Sequence, residues 1–370
     1  MGVTHFDGRI LVLGFGGVAQ CTLPLLLRHL DIPPARVTVL DFVDCRKTLA
    51  PYLTQGVHFI RERITPENYE QVLQQHVGPG DLLIDLAWNI DCGSLLDFCR
   101  RHGVLYVNTS VEVWDPYSGA EFKSPPERTL YARHMELRKL IASWPAENGP
   151  TAILDHGANP GLVSHFTKMA LRDIAERILA EQPDDPRRAD LEDALAQNKF
   201  NRLAQQTGVK VIHISERDTQ ISNKRRSRTE FVNTWSVEGF YEEGIAPAEM
   251  GWGTHERKLP KDAWVHQVGP RNQICLERFG MNTFVRSRVP SSEIVGMVIR
   301  HGEAFSISEF LTVKGPRGKA IYRPTVHYAY LPCEHAVASL DDLRRRDYVM
   351  QEKCRIMRDE IVCGYDELGV

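Results

Sequence analysis

A glycine-rich turn near the amino terminus constrains the fold of this chain more than any other feature. The segment Arg9-Ile-Leu-Val-Leu-Gly14-Phe-Gly16-Gly17-Val18-Ala19 joins an apolar run, typical of a buried strand, to a stretch that reads as a helix. Gly14 permits the tight turn, Gly16 lets a backbone approach a pyrophosphate, and Ala19 allows close packing of helix on strand. We therefore predict a dinucleotide site at the helix amino terminus, formed by Gly14, Gly16, Gly17 and Val18.

The residues after this turn support that interpretation, which a lone glycine motif would not justify. A second β-rich run, Val37-Thr-Val-Leu-Asp41, ends in an acid twenty-seven residues after Gly14. A carboxylate at this point accepts hydrogen bonds from ribose hydroxyls and repels a 2′-phosphate, so it predicts NAD as the cofactor. Arg46 lies nearby and could bind a 2′-phosphate, so NADP remains an alternative cofactor. A plain turn residue at the strand end is the other explanation of Asp41.

Along the first half of the chain, short apolar runs alternate with amphipathic segments. This order predicts an α/β fold, with a Rossmann-type doubly wound parallel sheet of six strands over residues 1–156. Because ligands of such sheets lie beyond the carboxyl ends of the strands, we expect the loops at 87–91 and 109–112 beside cofactor and substrate. From these loops we select Trp88, Asn89, Thr109 and Glu112. Trp88 could equally pack between sheet and helix.

The segment Gly157-Ala-Asn-Pro-Gly161 marks the change to a second, α+β domain, predicted for substrate binding over residues 157–340 and followed by a helical segment over 341–370. Asn159 fits a helix N-cap, with Pro160 at the first helical position. The alternative is that Asn159 hydrogen-bonds the nicotinamide or the substrate, because its loop lies at the end of the sheet.

Composition excludes several classes of function. The 370 residues carry a formal charge of −3, without the basic surface of a nucleic-acid-binding protein. No apolar run is long enough to span a membrane, and the amino terminus lacks a signal-peptide pattern. The eight cysteines form no C-x-x-C pair and are expected as free thiols. We therefore expect a cytoplasmic protein with no metal site and no nucleic-acid or membrane partner.

The most distinctive chemistry lies in Phe231-Val-Asn-Thr-Trp235-Ser-Val-Glu238-Gly-Phe-Tyr-Glu-Glu243. An indole face beside carboxylates suits an ammonium group, through cation–π contact and charge-assisted hydrogen bonds. Residues 211–256 contain eight acidic and five basic residues, and four of the basic ones lie in the run 224–228, so the acids are not neutralised locally. The alternative is an amphipathic strand whose tryptophan packs in the core.

Five blocks together carry a family resemblance. They are residues 157–161, Glu216-Arg-Asp-Thr-Gln220, residues 232–239, Glu249-Met-Gly-Trp-Gly-Thr254 and Tyr322-Arg-Pro-Thr-Val-His-Tyr-Ala-Tyr330. Over its whole length the chain resembles the bacterial homospermidine synthases, which are similar in fold to saccharopine dehydrogenases. The resemblance implies an NAD-dependent transferase that joins two putrescines, or putrescine and spermidine, into homospermidine. Ammonia or diaminopropane is released, through an imine and a borrowed hydride. The resemblance also implies a homodimer.

The resemblance assigns catalytic roles to particular residues. Trp235 matches a tryptophan that holds the substrate ammonium, and Glu216, Glu238 and Glu243 match carboxylates of the amine pocket. Asn159 and Glu112 match polar residues between cofactor and substrate. His301 matches a pocket histidine, although an ordinary hydrogen bond would also explain it. Family members continue well beyond the match to residues 366–370, so we expect this chain to stop within a domain.

Two other functions are compatible with the glycine turn. A related NAD(P)-dependent imine reductase of the saccharopine or carboxynorspermidine type would need an arginine that pairs with its substrate carboxylate. The tryptophan and glutamates of the segment 231–243 argue against such a substrate. A truncated, non-catalytic NAD-binding protein would bind the cofactor and form no product.

Overall fold

In the computed structural model, residues 3–145 and 148–370 are described, and they form two compact units. The first unit takes in the described residues up to Ala120 together with Glu136–Gly157. The second takes in Glu121–Met135 and Ala158–Val370.

The first unit contains, within its described residues, a six-stranded parallel sheet. In spatial order the strands are His58–Arg61, Val37–Asp41, Ile10–Leu13, Leu82–Asp85, Leu105–Asn108 and Ala152–Ile153. Numbered along the chain, this order is 3-2-1-4-5-6, so the strand order reverses beside the first strand, as in doubly wound dinucleotide-binding folds. The predicted Rossmann-type sheet is confirmed.

The central strands of this sheet are rich in buried β-branched and leucine side chains, and β-branched residues favour strand formation. All four residues of Ile10–Leu13 are buried, as are Val37, Val39 and Leu40, the pattern of a parallel sheet covered on both faces. Short strands Thr4–His5 and Leu30–Asp31 pair with each other. The helices of this unit are Gly17–His29, Arg46–Leu53, Tyr69–His76 and Cys92–His102, with a 3₁₀ turn at Pro34–Arg36. Helix Leu130–Ser143 has its first residues in the second unit and the rest in the first, the 3₁₀ turn Pro125–Arg128 belongs to the second unit, and the 3₁₀ turn Ala120–Phe122 lies at the division between them in the chain.

The second unit contains a mixed sheet, eight-stranded among the residues described. Its main path runs through Ala263–Val265, Gln273–Phe279, Pro247–Gly251, Thr325–Leu331, Glu293–Met297 and Phe284–Arg288. Strand Val211–Asp218 pairs in parallel with Thr325–Leu331, and Asp366–Gly369 pairs antiparallel with Val211–Asp218. The polar ends of these last strands are thereby brought together.

Helices and smaller ribbons complete this unit. The helices are Leu162–Glu181, Arg188–Ala196, Phe200–Gln206, Val237–Ile245, Gly302–Phe310 and Glu334–Arg345, with 3₁₀ turns at Gly280–Asn282 and Arg358–Glu360. The ribbons pair Glu230–Asn233 with Lys353–Ile356, Ile221–Ser222 with Ile361–Cys363, and Val313–Lys314 with Ala320–Tyr322. One hydrophobic cluster spans helices and sheet and includes Ile212, Ile214, Phe231, Phe240 and Tyr328.

Two local predictions are wrong. Residues 341–370 are not a helical segment, because the helix ends at Arg345 and strands follow, one of them paired with the distant strand Val211–Asp218. Local spacing does not encode such long-range pairing. Asn159 is not a helix N-cap: the helix begins at Leu162 after Gly161, and the Asn159–Pro160 bond is cis. The side chain of Asn159 binds other groups instead.

The cysteines and the helix hydrophobicity can be compared with what composition predicts. All eight cysteines lie in the described ranges, and each is a free thiol, as predicted. In those ranges, no helix combines the length and the apolar character that crossing a membrane requires.

Candidate active site

Two glycines in the turn after strand Ile10–Leu13 have different surroundings: Gly14 is packed against the backbone, and Gly16 faces open space. Gly14 has φ 80°, and a Cβ there would lie 2.9 Å from the Leu86 carbonyl oxygen and 3.0 Å from Ala87 Cα. A Cβ on Gly16 would meet no protein atom within 4 Å. Gly17 and the exposed Val18 form the first turn of the helix that follows. This helix terminus therefore leaves room for an anion such as a phosphate.

The two glycines predict opposite behaviour when each is replaced by alanine. We expect Gly14→Ala to destabilise the protein by about 1–2 kcal/mol, because the left-handed conformation costs alanine about that much free energy. The added Cβ would also lie too close to the Leu86 carbonyl oxygen. Gly16→Ala should leave the melting temperature unchanged and weaken NADH binding, because its methyl group enters the space left for phosphate. Thermal denaturation and NADH fluorescence titration measure the two effects. A Gly16→Ala variant that binds NADH as tightly as the unmodified protein would contradict the phosphate assignment.

Asp41 ties the glycine turn to the loop after its own strand. Its Oδ2 accepts a hydrogen bond from the Phe15 N–H at 2.7 Å, and its Oδ1 accepts one from the Val43 N–H at 2.7 Å. A carboxylate offers about four acceptor positions, so capacity remains for ribose hydroxyls. Arg46, the residue that left NADP open, donates to Asp44 at 2.7 Å. The residues present thus fit NAD.

The other selected residues of the first unit lie beyond the carboxyl ends of its strands. Asn89 follows strand Leu82–Asp85 with φ 60°, and its buried Oδ1 has no hydrogen-bond partner among the described residues. Trp88 is 39% exposed, which leaves its ring accessible. Thr109 is half-buried directly after strand Leu105–Asn108. Glu112 accepts a hydrogen bond from Ser110 through its side chain and one from the Cys92 N–H, at 3.0 Å, through its backbone carbonyl.

Asn159 hydrogen-bonds side chains from two neighbouring strands of the second unit. Its amide Nδ2 donates to the carboxylate of Glu216 and to the hydroxyl of Tyr328. The Tyr328 ring stacks on the ring of His301, with centroids 4.2 Å apart and planes 9° from parallel. Three of the predicted residues, Asn159, Glu216 and His301, are therefore brought together, and Tyr328 connects them.

His301 is held from its other side by a buried carboxylate. It precedes helix Gly302–Phe310, and its Nδ1 is hydrogen-bonded to Glu303. The second oxygen of Glu303 accepts from the Gly161 N–H at 3.0 Å. Glu303 thus fixes the histidine ring and the loop that carries Asn159, so the ordinary hydrogen bond expected for His301 exists within a larger network.

Two buried acids, Glu216 and Asp218, and the more exposed Asp366 form what we call the acidic cluster. Asp366 lies opposite Asp218 in the register of the antiparallel pair, and Glu216 is two residues away on the same strand. Burial raises the pKa of Glu216 well above its usual value, and the charges of Asp366 and Glu243 add to the rise. Burial also raises the pKa of Asp366, to about 6, while its hydrogen bond with Glu216 acts in the opposite direction. Burial therefore favours the protonated form of Glu216 more strongly than that of Asp366.

The cluster has no basic counterpart of its own. The buried Arg300 and the partly buried Arg133 pair with Glu242, and the partly buried Arg355 pairs with Glu230. The charge of Arg300 also acts on Glu243. In the ranges that the structure describes, no ion pair with lysine or arginine involves the acidic cluster. Buried acids without a cation create a negative potential that an incoming ammonium group can neutralise.

Trp235 lies beside this cluster. It is half-buried, and its indole N–H donates to the Tyr330 hydroxyl at 3.2 Å. Burial raises the pKa of Tyr330, and the charge of Glu216 is the next cause, which shows that hydroxyl and carboxylate are neighbours. Trp235 also packs edge-on against Phe240, 6.1 Å between centroids. Both interpretations of Trp235 therefore hold in part: one edge contributes to the core, and the ring is not fully covered.

The two glutamates of the helix Val237–Ile245 have different environments. The charge of Glu243 acts on Glu216, whereas Glu238 acts on Cys354, whose pKa is raised by burial and then by that charge. Five residues apart on a helix, the two side chains leave the axis about 140° apart. Glu243 therefore lies with the acidic cluster, and the structure gives no contact that brings Glu238 to it.

Sequence reasoning missed several members of this site. Tyr328 and Tyr330 lie inside the block 322–330, and their alternation along one strand face was a usable signal. Glu303 lies two residues after His301 and gave no signal of its own. Asp366 gave no such signal, because it reaches the site only through the pairing of Asp366–Gly369 with a strand far away in sequence.

Known proteins are similar to this chain over nearly all of its length. The family model for the saccharopine dehydrogenase NADP binding domain matches residues 10–153, and that for the saccharopine dehydrogenase C-terminal domain matches residues 157–368. The homospermidine synthases of Mesorhizobium japonicum and Blastochloris viridis are each 39% identical to it, over 99% of this chain and 74% and 75% of theirs. The crystal structure of Legionella pneumophila homospermidine synthase in complex with NAD matches at a TM-score of 0.83 and 37% identity, covering 99% of this chain and 74% of that one.

Proposed function

Because the chain belongs to the homospermidine synthase family, within the saccharopine dehydrogenase fold, we propose that it is an NAD-dependent homospermidine synthase that condenses two putrescine molecules. The observation that carries this proposal is the acidic cluster beside Trp235: carboxylates next to an aromatic face, with no lysine or arginine ion pair to the cluster among the described residues. The family's cytoplasmic location and homodimeric state are part of the same proposal.

Putrescine sets two opposing demands on the site. It is a dication at neutral pH, yet the carbon beside a nitrogen loses hydride only when that nitrogen is neutral. One end must therefore stay charged while the other loses a proton. Trp235 and Glu243 bind the charged end, because cation–π contact and a carboxylate both favour an ammonium group.

Glu216 and Asp366 accept the proton that the reacting amine must lose. With a pKa raised to about 6, Asp366 is largely ionised at neutral pH and accepts a proton from the ammonium group or from a water that bridges to it. Asn159 keeps Glu216 in place by donating to its carboxylate. The pair can take up a proton and later release one, which the overall reaction requires.

The remaining steps involve two successive imines. NAD, which the glycine turn and Asp41 would hold, would supply the acceptor for the hydride of the first putrescine and the donor that reduces the final imine. Between these events the amine of the second putrescine adds to the imine carbon, and ammonia leaves with a proton from the acidic pair. The positive charge of the protonated imine is stabilised by the acidic cluster, which is electrostatic preorganisation.

Deuterated putrescine tests this function directly. We expect the purified chain, incubated with NAD⁺ and putrescine deuterated on its amine-bearing carbons, to form homospermidine and ammonia without net NADH. Mass spectrometry should find all of the deuterium retained in the product, because the transferred hydride comes back. Absence of product while NAD⁺ binds would contradict the proposal.

Asp41 should set the preference of the chain for NAD. We expect Asp41→Asn to weaken NADH binding about tenfold, since it removes the charge that strengthens hydrogen bonds to ribose. NADPH binding should improve, because the repulsion of a 2′-phosphate is lost. Fluorescence titration with both cofactors measures the ratio, and Asp7→Asn, an exposed aspartate of the same unit, is the matched control. An unchanged NADH-to-NADPH ratio would show that Asp41 only shapes the turn.

A further inference from the structure

A buried polar network in the first unit has no part in the chemistry described above. It comprises Asp85, Tyr106, Asn108 and Cys92, all of them buried. The Tyr106 hydroxyl donates to Asp85 Oδ2 at 2.7 Å, and Asn108 Nδ2 donates to the Tyr106 hydroxyl at 3.1 Å and to Cys92 Sγ at 3.3 Å. An acid that is only 3% exposed, with no basic partner in the described residues, is costly and calls for an explanation.

The network is connected to the glycine turn through a single loop. Asp85 Oδ1 accepts a hydrogen bond from the Ala87 N–H at 3.3 Å, which holds the chain directly after the strand. The Leu86 carbonyl oxygen and Ala87 Cα are the atoms that a Cβ on Gly14 would strike. Two residues further on, Asn89 keeps its left-handed conformation and its unpartnered, buried Oδ1.

The strand order indicates which half of a dinucleotide this loop faces. Strand Leu82–Asp85 lies on one side of Ile10–Leu13, and Val37–Asp41, with its ribose-binding acid, lies on the other. A doubly wound sheet binds the two mononucleotides on opposite sides of this reversal point. Because Asp41 belongs to the adenosine side, the loop at 86–89 belongs to the nicotinamide side.

We propose that Asp85 is a positioning residue for the nicotinamide half of the cofactor: with Tyr106 it holds residues 86–89 against the glycine turn and presents the Asn89 side-chain carbonyl to the carboxamide. This inference rests on the proposed use of NAD. An ionised Asp85 accepts hydrogen bonds from both Ala87 and Tyr106. A protonated Asp85 must donate its own hydrogen and gives up one of these acceptor roles, so the loop is held less firmly.

The surroundings place this proton exchange near neutral pH. Burial raises the pKa of Asp85 to about 7, although the hydrogen bonds from Tyr106 and Ala87 oppose the rise. The charge of Glu112, in the loop after strand Leu105–Asn108, adds to it. The other titratable groups that face Asp85 are Tyr106 on the neighbouring strand and Cys92 and Cys99 on helix Cys92–His102. Burial raises the pKa of each of these three, so each stays protonated while Asp85 titrates.

The experiment compares NADH with ADP-ribose, which lacks the nicotinamide, by equilibrium titration from about pH 6 to about pH 9, on either side of the Asp85 pKa. In the unmodified protein we expect NADH affinity to fall roughly tenfold as Asp85 becomes protonated, the equivalent of one hydrogen bond, and ADP-ribose affinity to stay constant. Asp85→Asn, which resembles the protonated acid, should show the low-pH affinity for NADH throughout. Tyr106→Phe removes a donor to the anion and should move the inflection to higher pH.

Asp7→Asn, an exposed aspartate of the same unit, is the control and should follow the unmodified protein. The inference is overturned if Asp85→Asn keeps the inflection, or if ADP-ribose affinity falls in parallel with NADH affinity. A folding defect in Asp85→Asn would show in its melting curve, and Tyr106→Phe then decides the matter by its shifted or unshifted inflection. An unmodified protein that binds ADP-ribose and not NADH would overturn the proposed cofactor and this inference with it.

Discussion

Replacing Trp235 by leucine should lower kcat/KM for putrescine by at least about thirtyfold, the equivalent of a desolvated cation–π contact of roughly 2 kcal/mol. NADH affinity should be unchanged, because Trp235 belongs to the second unit and the glycine turn to the first. The loss arises because leucine fills the same part of the core beside Phe240 but has no negative π face for the ammonium group. Steady-state kinetics and NADH titration of the same preparation separate the two effects.

Trp235→Phe is the matched control for this change. Phenylalanine keeps an aromatic face and loses only the hydrogen bond that the indole N–H donates to Tyr330. It should therefore keep much of the activity that leucine loses. Equal losses in the two variants, or a loss of NADH binding as large as the loss of turnover, would return Trp235 to a purely structural role in the core.

The second large effect is expected from the acidic pair. Glu216→Gln should lower kcat by about a hundredfold or more, the usual contribution of a positioned acid or base. Because the pKa of Asp366 is raised to about 6 and its ionised form attracts the ammonium group, kcat/KM should decline as pH falls through about 6. Asp366→Asn should be less active and should lack this acid limb. A pH–rate profile of each variant measures both effects.

The stability of these variants should change in the opposite direction. Burial raises both pKa values, so the folded state disfavours the two anions, and the unmodified protein loses stability as pH rises from the unfolded pKa through the folded one. Glu216→Gln should then be at least as stable as the unmodified protein at neutral pH. The exposed Glu293→Gln is a control that should alter neither activity nor stability. If Glu293→Gln were as inactive as Glu216→Gln, the acidic cluster would have no special role.

The sequence was sufficient where short-range patterns carry the information. The turn at Gly14, the acid at Asp41 and the alternation of strands and helices each follow from spacing within about thirty residues, the size of one βαβ unit. Such features are set by backbone geometry and side-chain chemistry that a short segment already contains.

Long-range contacts account for what the sequence did not reveal. Asn159 was assigned to a helix cap because its local context fits one, yet its side chain binds Glu216 and Tyr328, which lie on two different strands. The sequence predicts a helical segment over 341–370, which includes Asp366, yet strand pairing brings this residue beside Glu216. Glu238 and Glu243 looked equivalent by composition, and only the direction of the helix distinguishes them. In each case tertiary contacts override the local preference.

The pairing of strand Val211–Asp218 has a consequence for how the protein folds. Both of its partners, Thr325–Leu331 and Asp366–Gly369, come more than a hundred residues later in the chain. Closing such long loops is entropically slow, and contacts of high sequence separation form late. The acids of the cluster therefore meet only near the end of folding, so their mutual repulsion opposes the last steps and not the first. During synthesis, the acidic cluster is completed only after strand Asp366–Gly369 has left the ribosome.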